Sequence, residues 1–401
     1  MTAASLLSLL LLAAGAEPAD APAFVLHGTR PDLPAGPLVR LDADGSAQVA
    51  GAPPVAGADL VALRRRGLPP PHFPHDRPHA LFVNGDRLPG EAVAVTGDDV
   101  RFRADLGAPQ ELTVPLSALA AVWFTERAAA RAATPAGRRA LAEKRRQDVA
   151  LLANGDTLQG TVVGLDVAGP LRLDVGGSEV AVPRERLQAL LLNTDLARAP
   201  KPRGPYRQLV LRNGARLNVR TAVLSGGEVT GTTLFGAAVR VPLAELAAVN
   251  VYQGKAVYLS DLAPRRYEHT PFLGANWPFA ADRSVTGQDL RLAGGTYDRG
   301  LGLHSQSRLT YTLPAGAKRF EALVGLDEQT GRSGGVRVQV LADGRALLDP
   351  APELGAADPP RPLRLDLPPG ARELTVVVEF GRGGDVQDHV DWADARVILG
   401  P

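Results

Sequence analysis

Hydrophobic and polar residues alternate along this chain in short runs, and Gly, Pro or Asn cuts nearly every run. Val93 and Val95 are followed by Val100 and Phe102. Near the C-terminus Leu309, Tyr311 and Leu313 share one face of a run, and Val336, Val338 and Val340 share another. Leu363, Leu365 and Leu367 do the same, as do Leu374, Val376, Val378 and Phe380. A period of two over so few residues is the signature of half-buried strands. The expected class is all-β.

The middle of the chain repeats itself. Leu81-Phe82-Val83-Asn84-Gly85-Asp86-Arg87-Leu88 opens one copy, Leu151-Leu152-Ala153-Asn154-Gly155-Asp156-Thr157-Leu158 the next, and Leu209-Val210-Leu211-Arg212-Asn213-Gly214-Ala215-Arg216-Leu217 a third. Each closes about 30 residues after its Asn: Val114-Pro115-Leu116, Val182-Pro183-Arg184 and Val241-Pro242-Leu243, each with a Leu at the same offset beyond the Pro. Matching ends at a fixed period mark an internal repeat. Asn-Gly between apolar runs is a hairpin turn, because both residues tolerate positive φ. Each copy, about 45 residues long, then holds four or five short strands. Closing so few strands makes a small barrel of the SH3-like or Sm-like type, with too little core to stand alone. Neighbouring copies are expected to supply the rest. Asp59-Leu60-Val61-Ala62-Leu63 resembles the closing strand Glu245-Leu246-Ala247-Ala248-Val249, so a degenerate copy is expected over 17–68. The three clear copies occupy 80–125, 149–195 and 206–254.

Two connections interrupt this array. Residues 69–79 are rich in Pro and carry His72, His75 and His79. They read as a stiff, exposed strap whose histidines are incidental rather than metal ligands. Residues 126–148 are rich in Ala, Arg, Glu and Leu and read as helix, broken near Pro135-Ala136-Gly137.

Composition narrows the function classes. The 401 residues carry 44 basic and 43 acidic side chains, a formal charge of +1, so no global field recruits nucleic acid or an acidic membrane. The turns of the repeats are themselves acidic at Asp86, Asp98, Asp99, Asp156 and Asp166, so nucleic acid is not expected as a partner. Cys is absent, which leaves neither disulfides nor thiolate chemistry nor a Cys for lipid attachment. Leu6-Leu7-Ser8-Leu9-Leu10-Leu11-Leu12 followed by Ala14-Gly15-Ala16 reads as an export signal over 1–16 with cleavage after Ala16, although no basic residue precedes it. The apolar stretch is too short for a comfortable membrane span. The expected location is therefore the periplasm, the cell surface or the exterior, with no transmembrane helix once the signal is removed.

The last part of the chain carries a more specific pattern. Trp277, Asp282-Arg283-Ser284 and Gly287 lead into Tyr297-Asp298-Arg299-Gly300-Leu301-Gly302-Leu303-His304-Ser305. Phe320-Glu321-Ala322-Leu323-Val324-Gly325-Leu326-Asp327, Asp343-Gly344 and Val390-Asp391-Trp392-Ala393-Asp394 follow. On these residues the segment 258–399 resembles the NPCBM domain, also known as the family 51 carbohydrate-binding modules. The resemblance implies a galactose-binding-like jelly roll, a β-sandwich usually attached to glycoside hydrolases and binding terminal galactose or related sugars.

Sugar recognition needs an aromatic face for the ring and a few polar groups for its hydroxyls. Tyr297, His304, Trp277 and Trp392 are the candidates, with core packing the competing reading for both tryptophans. Modules of this fold often carry a structural calcium ion, which by resemblance assigns Asp282 and Asp394, and more weakly Asp391, as Ca2+ ligands; turn chemistry is the competing reading. Glu268 and His269 are neighbours on an extended segment and point apart, which argues against joint action. Two carboxylates fixed across a sugar cleft, the minimum for glycoside hydrolysis, are not recognisable. The expected function is a non-catalytic, exported carbohydrate-binding protein of the cell envelope, with the repeats as spacers or as docking sites for an envelope protein partner. A scaffold that no longer binds sugar is the main alternative, and a hydrolase with a cryptic site the weakest.

Overall fold

A computed structural model describes residues 21–126, 141–272, 274–331 and 333–400. The expected export signal lies outside the described residues, as does most of the expected helical connection. Leu141 and Ala142 are helical, but residues 143–147 are irregular and a strand already begins at Asp148, so the helix stops short of the boundary at 148. No helix among the described residues is long and apolar enough to cross a membrane.

The class is all-β, as the alternating pattern predicts. In the first clear copy the strand His79–Phe82 pairs with both Arg87–Thr96 and Leu119–Trp123. Asp99–Asp105 and Pro109–Pro115 continue the sheet, and a 3-10 turn at Leu116–Ala118 precedes the last strand. The second and third copies reproduce this order, including the 3-10 turns Arg184–Arg186 and Leu243–Glu245. In each copy the first strand pairs with both the second and the last, which closes the sheet on itself. The Asn-Gly turns form, but with positive φ at the glycine alone: Gly85, Gly155 and Gly214 have φ of 87°, 92° and 86°, whereas Asn84, Asn154 and Asn213 stay at negative φ.

A fourth, shorter unit occupies the start of the described chain, with strands Ala23–Gly28, Gly36–Leu41, Ala47–Val49 and Leu60–Arg65. The units join through their closing strands. Leu187–Leu191 pairs with Leu119–Trp123, and Leu246–Tyr252 pairs with Leu60–Arg65. One hydrophobic core runs through all four, from Phe24 and Leu63 through Phe102 and Leu173 to Val249. Shared burial is how units this small become stable.

The C-terminal module is a sandwich of two six-stranded antiparallel sheets. One contains Gly300–His304, His389–Leu399 and Ala317–Leu326, and the other Ser307–Thr312, Glu373–Phe380 and Gly335–Ala342. Its core, built on Leu301, Tyr311, Phe320, Val338, Val376 and Trp392, is separate from that of the array.

Array and module meet across a polar seam. Arg87 and Arg216 occupy the same position in their repeats, one residue after Asp86 and Ala215, and they pair across strands. Both reach the same carboxylate of the module: Arg87 donates to Asp298 Oδ1 and Arg216 Nε to Asp298 Oδ2 at 3.1 Å. Arg216 is fully buried and also donates to the carbonyls of Gly214, Pro71 and Thr296. Burial alone would raise the Asp298 carboxyl, but Arg216 and Arg87 more than reverse this and hold it below the usual carboxylate range.

The Pro-rich strap corrects the sequence reading. It is not an exposed spacer but part of the seam. The Pro70 carbonyl accepts from Thr296 N at 2.8 Å, and His72 meets the Thr296 hydroxyl. Phe73 and His79 are buried, and the His79 ring stacks on Trp123 at 4.7 Å. At Gly214 a Cβ would lie 2.1 Å from the His72 carbonyl, so only glycine lets the strap lie this close. Arg64–Asp394 at 2.6 Å and Arg364–Asp32 at 2.9 Å extend the seam.

Removing one member of a buried ion group leaves the others uncompensated, which costs about 3–5 kcal/mol. Asp298→Ala strands two arginines. Urea unfolding of the variant is expected to show a loss of that size, and a loss under about 1 kcal/mol would show that the clamp does not hold the seam.

Candidate functional site

The sequence candidates fall at two ends of one strand. Gly300–His304 spans roughly 13 Å at strand rise, and the seam lies at its Gly300 end. Tyr297 sits there, half-buried, with its hydroxyl pushed up to about 12, first by burial and then by the nearby Asp394 charge. Asp282 is there too, 2.9 Å from Arg299, while Asp394 faces Arg64 of the array. Asp391 is buried deeper and accepts from Arg291 N at 2.9 Å; burial, then the neighbouring Asp327, pushes its carboxyl well above the usual range.

The carboxylates expected to hold calcium, Asp282 and Asp394, flank the Gly300 end of this strand through their backbone N–H groups, which donate to the Gly300 and Arg299 carbonyls. Each places one oxygen against an arginine. Among the described residues no three acidic or histidine side chains are arranged to hold a metal.

Trp392 corrects a second expectation. It is 0% exposed and packs near Phe320 inside the sandwich, so it presents no face to a ligand. It lies on a strand flanked on both sides within its sheet, by Gly300–His304 and Ala317–Leu326.

At the other end of Gly300–His304 the structure brings Trp277 and His304 together. Their rings stack at 4.7 Å with an interplanar angle of 3°. Trp277 is half-buried, whereas His304 is 3% exposed. His304 Nδ1 donates to the Ser305 carbonyl at 3.0 Å, and His269 Nε2 donates to the same oxygen at 3.2 Å. The Trp277 backbone N–H donates to His269 Nδ1 at 3.5 Å. One carbonyl thus fixes both tautomers, and His269 anchors the segment that carries Trp277. His304 is left with Nε2 as an acceptor.

His389 completes the cluster, 5.2 Å from Trp277 and 5.4 Å from His304 between ring centroids. Burial lowers its pKa to about 4, and the positive charge His304 would carry lowers it further. Burial likewise lowers His304, against the opposing effects of the Ser305 carbonyl and Asp388. The stack is therefore a neutral aromatic surface at ordinary pH. The end also carries Phe272, 59% exposed, its ring 5.6 Å from Phe380, and the exposed Val386.

Sequence reasoning singled out Trp277 and His304, set His269 aside as pointing away from Glu268, and gave His389 no role. His389 lies opposite His304 in the strand register. The two are far apart in sequence, and no local signal joins them.

An aromatic platform rimmed by imidazoles at the end of a β-sandwich has the chemistry that polar ring-shaped ligands require. Comparison with known proteins finds a family match over part of the chain. Residues 255–398 match the NPCBM/NEW2 domain. A Renibacterium salmoninarum protein with the provisional name endo-alpha-N-acetylgalactosaminidase is 30% identical over 113 residues, covering 28% of this chain; the chain spans only 7% of that relative's length. Among solved structures, CBM51 from Clostridium perfringens GH95 in complex with methyl-galactose is similar at 23% identity, covering 35% of this chain and 99% of that one, with a TM-score of 0.32. The tandem CBM51 modules of a family 98 glycoside hydrolase from Streptococcus pneumoniae are similar at 13% identity, covering 63% of this chain and 88% of that one, also at 0.32.

The lowered His389 pKa makes a checkable statement. An unfolded histidine binds its proton near pH 6.5, but the folded ring resists until about 4. Stability linked to His389 is thus full above about pH 6.5 and is lost as pH falls from there towards about 4. Imidazole NMR of the full chain is expected to show His389 titrating well below an exposed histidine. A midpoint near 6.5 would mean that the ring is solvated and the platform open beneath Trp277.

Proposed function

We propose that this is an exported, non-catalytic glycan-binding protein of the cell envelope, which holds a sugar ring against Trp277 at the end of its C-terminal module. The observation that carries the reading is the parallel Trp277–His304 stack, within a segment that matches a carbohydrate-binding family. A sugar presents an apolar C–H face and a rim of hydroxyls. Trp277 suits the face, while His304 and His389 suit the hydroxyls, with Phe272 widening the apolar surface. The two imidazoles are held neutral, so they favour hydroxyls over anions.

Galactose-configured sugars are the first class to test, because the provisional name of the Renibacterium relative concerns N-acetylgalactosamine. Binding rather than turnover is proposed because the platform pairs aromatic and imidazole groups, without the two facing carboxylates that glycoside hydrolysis requires. In this reading the repeats present the module and dock an envelope protein.

A glycan array probed with the full chain is expected to show selective retention of galactose-type termini. Trp277→Ala is expected to weaken the best of these at least about tenfold, with the fold intact. Unchanged affinity in Trp277→Ala would remove the platform from the proposal. A folded protein that retains no glycan would favour a scaffold role.

A further inference from the structure

Where the first and third repeats meet the jelly roll, the seam leaves a cleft of about 840 Å3. That volume falls within the range of small-molecule sites. Asn84 and His79 line it from the first repeat and its strap, Tyr206, Asn218 and Tyr252 from the third, and Ala281 and Thr286 from the module. We infer that this cleft is a second binding site, which takes an uncharged, hydroxyl-rich ligand such as a single sugar residue and exists only because array and module are docked.

Three unpartnered buried atoms on lining residues point to such a ligand: Asn218 Oδ1, His79 Nε2 and, as a donor, Arg87 Nε. Asn218 is 4% exposed, yet its Oδ1 has no hydrogen-bond partner. Its orientation is fixed, because Nδ2 donates to the Asn84 carbonyl at 3.4 Å and its backbone N–H to Asp86 Oδ1 at 2.8 Å. His79 is 0% exposed and its Nε2 is likewise unpartnered. Its Nδ1 donates to the Arg77 carbonyl at 2.7 Å, so Nε2 of the neutral ring is an acceptor. Buried polar atoms left without partners are few in native proteins and costly. Two acceptors and one donor left unmet in one cleft call for hydroxyls, which serve as both donor and acceptor.

Charge on the walls is already neutralised from within. Arg87 is engaged by Asp298, Arg283 by Asp289 at 2.6 Å, and Arg299 by Asp282 and Asp261 at 2.9 and 2.7 Å. Asp86 accepts at both oxygens, from Asn218 N and Asn84 Nδ2. Burial, opposed by those bonds, raises its carboxyl to about 8, which keeps it uncharged at neutral pH. An anion or a cation would find no unpaired counter-charge on these groups. The Tyr206 and Tyr252 rings, 5.5 Å apart, line the same cleft, with the Arg299 guanidinium 5.0 Å over the Tyr252 ring.

This site is independent of the Trp277 platform, and the test separates the two. The probes are methyl α-galactoside, methyl α-N-acetylgalactosaminide and methyl α-glucoside at millimolar concentration. Binding to the full chain is read by saturation-transfer NMR and calorimetry. Trp277→Ala blanks the platform; Ala281→Trp and, as a second obstruction should the first misfold, Thr286→Trp fill the cleft from its rim. The Trp277→Ala protein is expected to bind at least one glycoside still, and adding either rim substitution is expected to weaken that residual binding at least about tenfold, with the melting temperature unchanged. A folded Trp277→Ala protein that binds none of the probes, or residual binding that both rim variants leave intact, would overturn the inference. Failure of the platform reading has a different signature, an Ala281→Trp protein that binds nothing while Trp277→Ala still does.

Discussion

The placement of the module depends on one clamp. Two arginines from equivalent positions of two repeats close on the two oxygens of Asp298. Each charge is expensive to bury, and the group is tolerable only because every member is paired. Arg216 shows how completely this is met, with three backbone carbonyls and one carboxylate shared among its nitrogens. A lysine could not replace it, since a single ammonium cannot reach partners spread along a planar fork. Ion groups of this kind add little net stability compared with apolar packing. Their value here is directional, because docking must bring both arginines onto the two oxygens of one carboxylate.

The repeat explains why the clamp has two jaws. The position after Asp86 and Ala215 is Arg in the first and third copies but Thr157 in the second. The first and third copies pair directly at Arg87 and Arg216. The second copy pairs with the first through the closing strands and through Gly164 opposite Thr96, so its turn lies elsewhere, and Asn154 and Asp156 there are exposed. Similar turns thus hide a division of labour: the first and third copies hold the module and the second extends the array.

Much of this was legible in advance, and the limits are physical. Alternation such as Val336, Val338, Val340 identifies strands because a half-buried sheet imposes a period of two. The Asn-Gly pairs identify turns because the backbone there needs positive φ. Strands paired on both sides obscure the signal: Val390, Asp391, Trp392 and Ala393 are all buried, so the pattern could not say which way Trp392 faces. Composition misled at residues 69–79. Proline makes a segment extended but does not reveal what lies alongside, and here that is the seam. The same gap holds at Asp282 and Asp394. As carboxylates beside a jelly roll they suit a cation, but no pattern shows that Arg299 and Arg64 each meet one of their oxygens, Arg64 from 330 residues away in the chain. The Trp277–His304 pair was half visible, while His389 entered only through strand register.

The geometry separates two polar-ligand surfaces along one strand. The stack of Trp277 on His304 lies at one end of Gly300–His304 and the cleft lies beside the other, both on a body held in a single arrangement by the Asp298 clamp. For a ligand that carries one recognised unit, the two surfaces act independently. For a polymer with several units the second contact becomes intramolecular, and its contribution depends on whether the spacing of units matches the spacing of sites. A flexible spacer would blur that match by letting the module wander. A strap wedged into the seam, with Gly214 admitting its backbone at the closest approach, preserves it. Rigidity between array and module is therefore a condition for selecting a polymer by its repeat rather than by its terminal unit alone. On this argument the repeats contribute to recognition by fixing a distance as well as by lining the cleft.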